Sequence, residues 1–236
     1  MAGTTLDSLM QSASVALVGR EYLVCEDLCL RALAVARQHQ AWADYGRVLL
    51  PLQEARRHRR MIAAEGSVRL GTTGLPGDLP AGLAPYPAAC ILVTHPHGAA
   101  DARALAAEAR RSRRFVEVLF ADNPVTAPRW RLLGLAGPEV ACAVPAPPAA
   151  WLDRWFGRSA PAPAPAAAGL PPTPADWFLD AGEALGDQAL RQAAAATGDV
   201  ARLEALEQCL EVVTDHELIH QHLWDAARAL SLASHP

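Results

Sequence analysis

The sequence predicts a helix-rich α+β fold, and three observations predict it. Hydrophobic residues make up 51% of the 236 but aromatics only 6%, and alanine dominates the class, a balance that favours closely packed helices. Both ends of the chain carry small and apolar residues at helical spacing. The middle, from Ser67, is instead punctuated by Gly and Pro and holds short apolar runs on either side of a helical stretch. A chain of this length can bury a sizeable core without support from metal or disulfides.

Residues 4 to about 66 read as helices broken near Gly19 and at Gln38-His39-Gln40. In the second of these, Tyr22, Cys25, Cys29, Ala32, Leu33 and Ala36 form one stripe that needs a partner helix. The third starts near Ala41 with Trp42, Tyr45, Leu49 and Leu52 on its apolar face, and Pro51 is expected to kink it. Val68-Arg69-Leu70 is a candidate strand. Ala89 to Thr94 reads as a buried strand, Ala99 to Arg113 as a helix and Phe115 to Phe120 as another strand, an order that implies a right-handed crossover and a parallel pair. Arg131 to Leu135 and Glu139 to Val144, around Ala136-Gly137-Pro138, read as a hairpin. The product is a small, mostly parallel sheet, with the terminal helices as the source of cover for its second face.

Trp151, Trp155 and Phe156 are spaced to dock a short helix, and Gly157 to Pro174 is a semi-extended Ala-Pro linker. Helices are expected at about 174 to 195, 199 to 213 and 215 to 232. The chain therefore divides into helices at 1–66, an α/β segment at 67–150, a docking helix and linker at 151–173, and a helical segment at 174–236.

Trp42-x-x-Tyr45-Gly46-x-x-Leu49 resembles the opening of a tetratricopeptide repeat, W-x-x-L-G-x-x-Y. Tyr22-x-x-Cys25-x-x-x-Cys29-x-x-Ala32-Leu33 is similar to the second helix of such a repeat, so the resemblance spans about 35 residues. It implies TPR-like N-terminal helices with a concave surface for a protein partner. It extends to uncharacterised bacterial proteins with TPR-like ends, and so implies a non-catalytic scaffold role.

Charge and cysteine usage narrow the function classes. A net charge of -4 and a pI near 6.0 argue against a general nucleic-acid binder, which needs a positive field. The clusters Arg56-Arg57-His58-Arg59-Arg60 and Arg110-Arg111-Ser112-Arg113-Arg114 read as solvated faces or ion pairs. Five cysteines without a C-x-x-C pair fit a reducing compartment, and no stretch approaches the ~20 apolar residues of a spanning helix, so a cytoplasmic protein is expected.

One string matches a catalytic motif. His216-Glu217-Leu218-Ile219-His220 is H-E-x-x-H, in which histidines about 40° apart on a helix can share a Zn²⁺ while Glu217 acts as general base on its water. That reading makes a zinc hydrolase with His216 and His220 as ligands. A catalytic zinc needs a third ligand, and positions 223 and 226 are Leu and Ala, while His222 lies about 200° round from His220. His95 or His97 would have to supply it. The competing reading is chain grammar: Thr214-x-x-Glu217 fits a capping box, with Val213 and Leu218 as its hydrophobic staple. On that reading no metal or cofactor is expected. A further candidate is Thr94-His95-Pro96-His97-Gly98, at the C-terminal end of a strand, where His95, His97 and Gly98 could meet an anion or small ligand and Asp101 could cap the helix or touch that ligand. Nucleotide-binding glycine motifs and a G-x-S-x-G elbow are absent. The reading favoured is a non-catalytic interaction protein.

Overall fold

Small side chains on the helical stripes let helices approach closely, and this builds the first of two compact units, Met1–Arg59 with Leu190–Pro236; the second is Arg60–Ala189. The computed structural model describes residues 5–82, 85–122, 128–157 and 172–233, so most of the Ala-Pro linker lies outside the described residues. The fold class is helix-rich α+β.

The first unit holds α1 (Leu6–Val18), α2 (Tyr22–Gln38), most of α3 (Trp42–Glu65), α7 (Asp199–Val212) and α8 (Glu217–Ala233). Thr5 caps α1 by accepting from the Ser8 N–H at 3.3 Å. The breaks expected near Gly19 and at Gln38-His39-Gln40 share one form. Arg20 (φ 60°) and Gln40 (φ 52°) turn left-handed, and the N–H groups of Glu21 and Ala41 close back on the Ala16 and Ala36 carbonyls at 2.8 Å. Leu9, Ala13 and Ala16 of α1 meet Cys25, Cys29 and Ala32 of α2 and Val48, Leu52 and Ala55 of α3 in one core. The helix α3 continues through Pro51 to Glu65.

Inside this apolar unit lies a buried ionic centre. Glu26 is 1% exposed and takes hydrogen bonds from two guanidinium groups of α3, Arg56 Nε at 2.9 Å and Arg59 Nη1 at 2.6 Å. The same two arginines continue to the turn between α7 and α8: Arg56 Nη1 donates to the Thr214 carbonyl at 2.9 Å and Arg59 Nη2 to its hydroxyl at 2.7 Å. The cluster at 56–60 is thus an ion-pair group, with Arg57 as its exposed member, 3.9 Å from Glu54.

The second unit is built on a six-stranded sheet with strands β1 (Ser67–Leu70), β2 (Ala88–Val93), β3 (Phe115–Ala121), β4 (Arg129–Leu133), β5 (Ala141–Pro145) and β6 (Trp155–Phe156), in the order β5-β4-β3-β2-β1-β6. Strands β1, β2 and β3 are parallel, and the three outer pairings are antiparallel, so the sheet is mixed rather than mostly parallel. A one-turn helix α4 (Leu79–Gly82) lies between β1 and β2, and α5 (Ala99–Arg111) connects β2 to β3. On one face Ala89, Ile91 and Val93 pack with Ala102 and Leu105 of α5. On β4, Trp130 meets Trp177 of α6 (Pro174–Ala193) edge-on at 6.3 Å, and the Trp177 indole donates to the Pro145 carbonyl at 3.1 Å. Arg60 donates to the Leu179 carbonyl at 2.7 Å and pairs with Glu183.

One expected element is different. Residues 151–156 do not form a docking helix; a 3-10 turn at Ala149–Trp151 is followed by β6, antiparallel to β1. Asp153 adopts φ 55° and donates its N–H to the Leu70 carbonyl at 3.0 Å, which a helix at this position could not do. Pairing with β6 satisfies backbone groups on the β1 edge that would otherwise stay open. No helix among the described residues is long and apolar enough to cross a membrane.

The buried ionic centre generates a prediction. Glu26→Gln removes the buried carboxylate that Arg56 and Arg59 share, and equilibrium urea unfolding should show a loss of about 3–5 kcal/mol. A loss within the range of a surface substitution, about 0.5 kcal/mol, would refute the assignment.

Candidate functional site

The H-E-x-x-H string sits at the start of α8. The helix begins at Glu217, and the N-cap is His216, whose carbonyl accepts from the His220 N–H at 3.3 Å. The capping box expected between Thr214 and Glu217 is not formed. The Thr214 hydroxyl accepts from Arg59 instead, and exposed Glu217 accepts from Gln221 at 2.9 Å. A charge-assisted bond from a buried arginine outcompetes a bond to a backbone N–H, and it moves the helix start two residues on.

Both histidines are buried. His220 Nε2 donates to the Thr214 carbonyl at 3.2 Å, which leaves Nδ1 as the unprotonated nitrogen, without a hydrogen-bond partner among the described residues. Burial, then the Arg56 charge, push its pKa down to about 4, against opposing effects of the Thr214 carbonyl and Glu26. Among the described residues no group of three His, Cys, Asp or Glu side chains converges to hold a metal. His95 and His97 belong to the second unit.

In that second unit the loops after β1 and β2 are cross-linked by two buried threonines. The Thr72 N–H donates to the Thr94 hydroxyl and the Thr94 N–H to the Thr72 hydroxyl, each at 3.0 Å, while the Thr72 hydroxyl donates to the Thr94 carbonyl at 2.9 Å. His95 is exposed and precedes a cis peptide bond to Pro96. His97 is 7% exposed; its Nε2 donates to the Pro76 carbonyl at 3.2 Å, and its Nδ1 has no partner among the described residues. Gly98 is the N-cap of α5 and donates its N–H to Asp101 at 2.7 Å. The Asp101 carboxylate therefore caps the helix and places negative charge at its positive end, which disfavours an anion there.

The first unit carries a groove of about 720 Å³. Met10 and Leu17 of α1 form one wall, Val48, Leu50 and Pro51 of α3 the other, Cys29 and Ala32 of α2 join the lining, and Trp224 of α8 contributes its indole. Leu50 is 66% exposed and Trp224 46%. A Cβ at Gly46 would stand 3.4 Å from the Trp224 ring, so the glycine leaves room for the indole against α3. The Arg228 guanidinium lies 5.5 Å from the same ring. Arg47 and Glu54 also line the groove, held by Asp44 at 2.9 Å and by Arg57 and His58 at 3.9 Å. The sequence stripe on α3 recorded Leu49 and Leu52 but passed over Leu50. The signal was the unbroken run Val48-Leu49-Leu50-Pro51-Leu52, too wide for one buried face.

No family model matches the chain, nor does any curated protein or solved structure.

Two outcomes follow from the α8 start. An unfolded histidine takes its proton near the ordinary 6.5 but His220 only near 4, so the unfolded chain binds more protons in that window and stability falls as pH falls through it. Urea unfolding from pH 7 to pH 4 should show a loss of about 3 kcal/mol that His220→Gln removes; an unchanged slope in the variant would contradict the assignment. Glu217→Ala should change stability by only about 0.5 kcal/mol, since it removes an exposed bond to Gln221 rather than a cap.

Proposed function

We propose that the protein is a non-catalytic interaction protein whose first unit binds an amphipathic helix of a protein partner in the groove between α1 and α3. The observation that carries this reading is the apolar groove of about 720 Å³ with Leu50 and Trp224 left open to solvent beside it. Its volume falls within the roughly 300–1,000 Å³ of specific binding pockets, and burying exposed leucine and tryptophan is a strong source of binding free energy. The walls are helices whose backbone groups are internally paired, apart from the Arg47 carbonyl, which Pro51 leaves without its helical donor. An extended peptide would lie against them with its own N–H and C=O groups unsatisfied, whereas a helix satisfies its own. Arg47 and Glu54 offer both signs of charge to residues flanking the apolar stripe of the partner, which sets register more than affinity.

The tetratricopeptide resemblance supports the same reading, because Trp42-x-x-Tyr45-Gly46 lies on α3 and the family uses concave helical surfaces for protein partners. The protein on this reading is cytoplasmic and needs no resident cofactor. Five cysteines without a disulfide among them support a reducing compartment, and the net charge of -4 supports a protein rather than a nucleic-acid partner.

Panning a displayed peptide library on the whole protein should enrich helices with apolar residues at i, i+3 or i+4, and i+7. Leu50→Arg should weaken their binding about tenfold or more, about 1.4 kcal/mol, without moving the unfolding midpoint. Enrichment of extended or purely polar peptides, or affinity indifferent to Leu50→Arg, would overturn the proposal.

A further inference from the structure

We infer that the second unit carries an oxyanion site at the C-terminal end of β1, where the outer edge of the Arg69 guanidinium receives a carboxylate or phosphate group. Arg69 stands between Val68 and Leu70 and is 6% exposed. A guanidinium carries five N–H donors, and its burial is costly unless they find acceptors. One is used, by Nε on the Gly71 carbonyl at 3.0 Å. Neither Nη1 nor Nη2 has a hydrogen-bond partner among the described residues. The nearest carboxylate, Asp153, has its Oδ1 3.9 Å from Nη2, beyond hydrogen-bond reach, and that oxygen already accepts from the Thr73 N–H at 2.8 Å.

The surroundings hold this fork in place. The Trp155 ring lies 5.6 Å from the guanidinium carbon, and Tyr86 stacks on Trp155 with centroids 3.8 Å apart and planes 19° from parallel. Desolvation lowers the Arg69 pKa, opposed by Asp153 and Tyr86. A paired N–H edge on a flat, orientated guanidinium matches the two oxygens of a carboxylate or phosphate.

The approach to Nη2 is also built. Exposed Gly74 passes the guanidinium, and a Cβ there would lie 3.7 Å from Nη2. Gly74 is not among the residues with positive φ, so its backbone does not require glycine, and the missing side chain is what leaves the donor edge uncovered. The ligand thus meets Arg69 beside the 94–98 loop rather than at the α5 N-terminus, where Asp101 already supplies the negative charge.

The test uses the whole protein, with acetate, benzoate and inorganic phosphate titrated separately at constant ionic strength while the Arg69 and Trp155 side-chain N–H signals are followed by NMR. At least one anion should shift both signals saturably, with a Kd of about 1–10 mM, and the one that does distinguishes carboxylate from phosphate. Gly74→Leu, which keeps Arg69 but covers Nη2, should weaken that binding about tenfold or more at an unchanged unfolding midpoint. Arg69→Lys, which keeps the charge and loses the fork, should weaken it likewise. No saturable shift with any of the three, or Gly74→Leu binding like the parent protein, would overturn the proposal, and the Gly74 variant decides the matter if Arg69→Lys does not fold.

Discussion

The bond set centred on Glu26 is the constraint on which the first unit depends. One buried carboxylate on α2 is shared by two guanidinium groups on α3, and each of those groups carries a further donor to Thr214, in the turn between α7 and α8. Helices far apart in sequence are thereby locked into one register. Apolar packing alone would permit small slides of alanine-lined helices past one another, whereas fork-shaped donors and a two-oxygen acceptor tolerate little displacement. The centre need not add net stability, because desolvating three charges offsets much of their attraction. Its consequence is geometric. It draws Thr214 away from helix capping, α8 starts at Glu217, and the Thr214 carbonyl that accepts from Arg56 also accepts from His220.

The second unit solves a similar problem with neutral groups. Thr72 and Thr94 exchange hydrogen bonds across the ends of β1 and β2, so the two loops that follow are held together without ionic help. Asp101 is consumed at the start of α5. Arg69 differs from all of these, since it is buried as deeply as the ionic centre of the first unit and yet keeps the outer edge of its guanidinium uncommitted among the described residues. Arg56, Arg59 and Arg60 each place two guanidinium nitrogens on carboxylate, carbonyl or hydroxyl oxygens.

Much of the element order was legible. The stripe from Tyr22 to Ala36, the strands beginning at Ala89 and Phe115 and the hairpin around Ala136-Gly137-Pro138 all carry periodicities that local geometry imposes, and each is observed within a few residues. The segment from Trp151 to Phe156 was misread as a helix, because its aromatic spacing suits a helix equally well and only the open edge of β1 selects a strand. The capping box at Thr214 was misread for the same kind of reason. Local pattern proposed a bond from Glu217, and a buried arginine from another helix took the acceptor. Of the candidate site residues, Gly98 and Asp101 are brought together by the helix start they signal, whereas Leu50, Trp224 and Arg69 left only faint marks: a leucine beyond the stripe, a tryptophan off the buried face of α8, and a charge inside an apolar strand.

By itself the sequence determined the helix-rich α+β class, the order of most helices and strands to within a few residues, outside Trp151–Phe156 and the start of α8, and the net acidic charge. These follow from dihedral preference and from the 3.6- and 2-residue periods, which act over a few neighbours. Only the tertiary structure decided what the polar residues do. Whether Thr214 caps a helix or receives Arg59, or whether the guanidinium of Arg69 ends on protein or remains available, depends on which distant acceptor comes within about 3 Å, a choice that packing makes and local pattern does not encode.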